Sequence, residues 1–340
     1  MTPSLRAEMQ TTPLQRRTAG YAAAVIAVLI TSSYPALTRL SVTTSLTPAD
    51  LLSFRFGVGA LLFAPMLMFR LRRMTRAEWR SALPLSFLQG WGMASLVVAG
   101  LEFGPASHAA ALGPGAIGAW VAIVAFVGYG VRLSSRKLVG IVFISSGIGF
   151  IVVASYRGLS LDTAMIGDAM FLTASALGAI YLVAVEHRRL DPVLAAGLVC
   201  VTSALIILPW HYFFGASTIA SAPIAEIVWQ MTFQGVLFGG VAFLALNYAI
   251  RLIGSQNVGV LSAMVPVVGG LCASLIAHDA ISDVEWAGIA TISLGVVVAS
   301  IRQRPFRNFR VHGSCSRVTR TLPRARDRSA QARRECPRIP

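Results

Sequence analysis

Residues 49–80, ADLLSFRFGVGALLFAPMLMFRLRRMTRAEWR, decide how this chain is read. The first two-thirds is an apolar run interrupted only by Asp50 near its start and by Arg55. As a helix it spans roughly 30 Å at about 1.5 Å per residue, the thickness of a hydrocarbon layer. Lipid offers no partner for free backbone N–H and C=O groups, so an apolar run of this length is helical. The remaining third holds Arg70, Arg72, Arg73, Arg76 and Arg80, a cationic cluster of the kind retained on the cytoplasmic side of a membrane.

Working outward, nine further runs of similar length occur at 20–40, 82–101, 107–130, 138–155, 167–186, 192–213, 227–250, 255–277 and 284–301. The chain is 55% hydrophobic and 13% charged, against about 25% charged in a soluble domain. Ten spans and their loops use up nearly all of the 340 residues, so no separate soluble domain fits between them. The fold class is therefore an all-α membrane protein of ten transmembrane helices.

The arginines fix an orientation. Arg6, Arg16 and Arg17 precede span one, Arg132, Arg136 and Lys137 follow span four, Arg188 and Arg189 follow span six, and Arg251 follows span eight. With the 70–80 cluster these all fall on one side, and only Arg39 and Arg157 fall on the other. The bias places both termini in the cytoplasm, and residues 1–19 form a cytoplasmic arm. Arg16 and Arg17 lead into a run of full spanning length without a clear cleavage site, so a removable signal is not read here.

The formal charge of +15 is concentrated in residues 302–340, where 12 of the 29 basic residues lie. That stretch is rich in Arg, Pro and Ser and is expected to be a disordered cytoplasmic tail. Either it is drawn to anionic lipid headgroups or it has no role. Nucleic acid is not an expected partner, because no aromatic platform accompanies the arginines. Cys200 and Cys272 lie in spans and Cys315 and Cys336 in the tail, without the spacing of a metal site. Neither a metal nor another cofactor is expected.

The chain repeats itself at an offset near 145 residues. Gly20 and Tyr34 match Gly167 and Tyr181, Pro48 and Pro65 match Pro192 and Pro209, and Gln89-Gly90 matches Gln234-Gly235. Lys137-Leu138-Val139-Gly140-Ile141 matches Glu285-Trp286-Ala287-Gly288-Ile289. Each half, 20–156 and 167–301, has five spans, an odd number, so the second enters the membrane from the opposite side. Two inverted five-helix repeats are a recurring architecture of secondary transporters, which work by alternating access to a site between the repeats.

Ten spans in two fives, with both termini cytoplasmic, resemble the EamA family of the drug/metabolite transporter (DMT) superfamily. Ser53-Phe54-Arg55-Phe56 early in span two, Gly167-Asp168 opening span six, Pro266 in span nine and the segment from Glu285 to Ile289 carry the resemblance. It covers about residues 20–301. It implies export of a small polar, amino-acid-like metabolite across the cytoplasmic (inner) membrane. The family often has an acid at the end of the fourth and ninth spans; here Asp279 stands in the second half, while Gly130-Val131-Arg132 in the first has none. Small-molecule substrate and membrane lipid are the expected partners, and a homodimer is allowed without being required.

Arg55 is the outstanding side chain. An arginine at the bilayer centre costs on the order of 3 kcal/mol, so it should face protein or water. One reading pairs it with Asp168, Asp50 or Glu102 near the outer ends of neighbouring spans; the other has it bind a substrate carboxylate. Tyr34, Gln89, Trp91, His108, Trp120, Tyr181, Gln234, Asn247 and Tyr248 are the remaining pathway candidates, against a reading of most of them as packing or interfacial residues. His108 is expected to satisfy a helix end rather than bind a metal. Pro114 and Pro266 each remove a backbone hydrogen bond and should kink spans four and nine, as static bends or as flexible points. No HExxH, no P-loop lysine and no His/Cys cluster occurs, so no enzyme is read here. The competing class is a membrane protein that does not transport, such as a sensor or an intramembrane enzyme without a known motif.

Overall fold

The computed structural model describes residues 13–71, 76–131, 133–158, 161–188 and 192–300. The tail 302–340, residues 1–12 of the arm, and Arg72, Arg73, Arg132 and Arg189 lie outside them. Among the described residues every regular element is helical, and ten helices are long and apolar enough to cross a membrane. They are Leu14–Thr44, Pro48–Arg70, Leu83–Phe103, Ala106–Tyr129, Ser135–Ala154, Thr163–Val185, Val193–Phe214, Ile224–Gly254, Asn257–Ile276 and Asp283–Ser300, called spans one to ten below. The end of the bundle that carries the turns near residues 45, 104, 220 and 280 is called distal, and the opposite end proximal.

Local chemistry sets the helix ends. Pro48 and Pro192, matched between the halves, each open a helix at its first residue, where a missing N–H costs nothing. Span four ends on Gly130 at φ 63°, with the Val131 N–H bonded back to the Ala125 carbonyl. Span nine ends in the same way: the Asp279 N–H reaches the Ala273 carbonyl, and His278 takes the left-handed position at φ 55°.

The packing obeys one pseudo-two-fold axis. Span two lies against span seven and span five against span ten, each beside its own counterpart. Span six packs on spans three and four, as span one packs on spans eight and nine, and spans four and nine meet. These are the contacts that exchanging the halves carries into themselves, so the chain is two inverted five-helix repeats. Glycines permit the close crossings. Gly90 of span three sits against Val199 and Ser203 of span seven, and its match Gly235 of span eight sits against Phe54 and Val58 of span two.

Four spans are interrupted. Span three breaks at Gly90, and span eight is π-helical over Met231–Ala242, so the matched Gln-Gly pairs both lie where the α-helix is lost. Span four breaks at Gly113, before Pro114, and span nine is re-entered at Val265–Pro266. In both cases the proline sits in the first turn of the new helix segment. A cluster of buried apolar side chains from spans one, three to six, nine and ten holds the distal half of the bundle. Large apolar side chains such as Leu61, Phe69, Leu205 and Leu275 point outward, which suits lipid and not water.

Candidate functional site

Arg55 enters from the second turn of span two into the space between the repeats. Its guanidinium lies 4.5 Å from the ring centre of Phe238 in span eight and 5.4 Å from that of Tyr34 in span one. Phe56 is on its third side at 5.5 Å. One N–H donates to the Tyr34 hydroxyl at 3.2 Å, and the Tyr34 and Phe238 rings stack at 4.1 Å. The expected partner Asp168 is not there. Asp168 is held by His108, Asp50 by His211, and among the described residues no carboxylate reaches Arg55. The position of the second half that corresponds to Arg55, by the spacing of Pro48 and Pro192, is Val199. The cation is therefore one-sided.

A second polar group gathers at the distal end around a cavity of about 880 Å³. His108, in the first turn of span four, is buried at 2% exposure. Its Nδ1 stands 2.8 Å from Asp168 Oδ1 of span six, and its Nε2 stands 2.8 Å from Glu285 Oε1 of span ten. Glu285 is positioned by a capping box: Ser282 N–H and hydroxyl donate to its other oxygen at 2.6 and 2.9 Å. Beside it, Arg39 Nε lies 3.3 Å from Asp279 Oδ1, and Arg39 also donates to the Leu101 and Gly104 carbonyls. Asp279 Oδ2 accepts from the Ala106 and Ser107 N–H groups at 2.7 and 3.3 Å, where a helix N-terminus favours negative charge. The first repeat supplies both bases and the second all three acids.

A third knot closes the distal end of spans two and seven. Thr47 and Asp50 cap span two reciprocally at 3.0 and 3.2 Å. Asp50 then takes His211 Nε2 at 3.1 Å, the Ser217 hydroxyl at 2.8 Å and the Thr218 N–H at 3.1 Å. Asp50 and Asp168 are thus both engaged by histidines.

The other candidates scatter. Gln234 donates to Thr38 at 2.9 Å, and its neighbour Gln230 to Ser41 at 2.7 Å, so the two zip span eight to span one. Gln89 is half-buried beside Gly178 of span six. Tyr181 is buried with Leu85 and Val199. Trp91 packs edge-on to Phe87 with its indole N–H buried and unpartnered among the described residues. Trp120 is half-buried, Asn247 donates to the Phe243 carbonyl of its own helix, and Tyr248 is exposed. Sequence reasoning treated Arg39 as a loop charge and Glu285 as a repeat match. The available signals were an arginine retained on the cation-poor side and the Ser282-x-x-Glu285 spacing. Among the described residues no group of acids, histidines and cysteines could hold a metal ion.

No curated protein matches the chain. A solved structure described as "Crystal structure of protein" has the same fold, with a TM-score of 0.58 and 19% identity over 83% of this chain and 97% of that one. Two segments, 18–153 and 165–301, match the EamA-like transporter family, one in each repeat. Ten spans in two inverted halves, each half matching on its own, make this chain a multi-pass membrane protein that belongs to the EamA-like transporter family of the drug/metabolite transporter superfamily.

Proposed function

We propose that the chain exports a small polar, carboxylate-bearing metabolite, amino-acid-like or related, across the cytoplasmic membrane by alternating access of its two repeats. The observation that carries this reading is the unpaired guanidinium of Arg55 in an aromatic cage between the repeats. The cage favours the cation by roughly 0.5–2 kcal/mol, enough to hold it but short of what a buried ion pair would supply. One hydrogen bond to Tyr34 uses one of five N–H donors. The rest of the planar fork is left for a two-point contact with a substrate carboxylate.

The arginine bias supports an orientation with both termini cytoplasmic and the distal end outside. In that frame Arg55 sits nearer the outer mouth, and Arg39, His108 and the three acids form the contacts between repeats that must separate for outward release. The substrate class is tested by comparing the metabolites released by cells that do and do not express the protein. Accumulation outside of one carboxylate-bearing compound supports the reading, and an excess confined to cations or neutral sugars opposes it.

A further inference from the structure

Both ring nitrogens of His108 are engaged, each by a carboxylate of the other repeat at 2.8 Å. A neutral imidazole has one N–H and one bare lone pair. A lone pair held at that distance from a carboxylate oxygen repels it unless a proton lies between. Two such contacts therefore need two protons among the three groups, and the imidazole, ordinarily a stronger base than either carboxylate, carries both. We infer that Asp168, His108 and Glu285 form a proton-binding site that ties the repeats together at the distal end while its second proton is in place.

The surroundings fit a site that exchanges its proton with the distal side. His108 and Glu285 both line the distal cavity, together with Arg39, His278, Asp279 and Asp283. Arg39 is committed to Asp279 at 3.3 Å, so it does not neutralise the triad. Glu102 of span three opens on a separate recess with Thr47 and Thr218. At the offset that relates Gly140 to Gly288, the counterparts of His108 and Glu285 are Gln256 and Lys137. That pair lacks the imidazole and the carboxylate, so the device belongs to one end only. Loss of the second proton leaves one contact as a lone pair against a carboxylate, and the tie weakens. Rising pH then opens the distal mouth, and a proton released there accompanies each opening. The proton count stands alone; the gating role rests on the transporter reading.

Two measurements on the full-length protein test this. The first is ¹⁵N-histidine NMR of the purified protein, with the His108 signals assigned by their loss in His108→Gln. Two protonated ring nitrogens at neutral pH are expected, and a ring with one bare nitrogen overturns the site. The second places spin labels at Thr43→Cys and Ala280→Cys, across the cavity, with the native cysteines replaced. The distance between them should lengthen from mildly acidic to mildly alkaline buffer, and this response should vanish in His108→Gln or, if that variant does not fold, in Glu285→Gln. An unchanging distance in the parent protein, or an undiminished response in the folded variant, overturns the gating role. A doubly protonated ring in a protein that moves no metabolite would sink the transport reading and leave the proton site. Metabolite movement with a singly protonated ring would do the reverse.

Discussion

Gly147 of span five and Gly288 of span ten stand back to back: a Cβ on Gly147 would lie 2.6 Å from the Gly288 carbonyl oxygen, and one on Gly288 would lie 2.9 Å from that of Gly147. Gly140 and Gly295 repeat the relationship, each Cβ falling 2.8 Å from the other's carbonyl oxygen. The same offset of 148 residues carries Gly140 to Gly288 and Gly147 to Gly295, so the two contacts are one contact seen from the two halves. Backbone lies against backbone there, and no side-chain rotation makes room for a methyl group.

Substituting valine at either Gly147 or Gly288 should therefore force the two helices apart. The expected loss is about 1–3 kcal/mol for overpacking, seen as a lower midpoint of unfolding in detergent. The Gly147→Val and Gly288→Val double variant should lose less than the sum of the two, because one displaced helix relieves both clashes. Full additivity would mean that the two residues do not share a contact.

The left-handed positions give a second expectation. Gly130 and His278 occupy equivalent caps, at φ 63° and 55°. A side chain there costs roughly 1–2 kcal/mol. Gly130→Ala should lower stability by about 1 kcal/mol and His278→Gly should raise it by a similar amount, measured by equilibrium unfolding. Opposite signs at the two sites are the diagnostic result; equal signs would contradict the shared cap.

Asp50 is fully buried and is held by donors of four residues, Thr47, Ser217 and Thr218 from two connections and His211 from span seven. Its replacement by alanine strands His211 and the Thr218 N–H. The expected cost is about 3–5 kcal/mol, read as loss of folded protein on detergent extraction. Asp50→Asn, which keeps the shape and one acceptor oxygen, should be milder.

The membrane-spanning pattern was legible because it depends on runs of one chemistry along the chain: the apolar spans, the alternating arginines and the matched Pro48/Pro192 and Gly90/Gly235 all survive without tertiary knowledge. Arg55 stood out for the same reason. Its partners did not. Asp168 near the membrane level of Arg55 suggested a pair, yet His108 reaches that acid from 60 residues away while its other ring nitrogen meets Glu285 of a further span, and only packing decides which base an acid meets. Gln234 showed the converse: its repeat match to Gln89 was visible, but its commitment to Thr38 was not.

The orientation is open to cysteine labelling. Ala220→Cys, in the distal connection, should react with an impermeant thiol reagent on intact cells. Ser134→Cys, in the proximal turn, should react only after the membrane is opened. The reverse pattern would invert the protein and with it the direction of the distal gate.

The central claim, that a substrate carboxylate is gripped by Arg55 between the repeats, is tested most directly by flux through reconstituted liposomes. The labelled metabolite is the one whose release distinguishes expressing from non-expressing cells. Flux is expected with the parent protein, none above empty liposomes with Arg55→Ala, and partial flux with Arg55→Lys, which keeps the charge and loses the fork. Parent-like flux through folded Arg55→Ala would contradict the account.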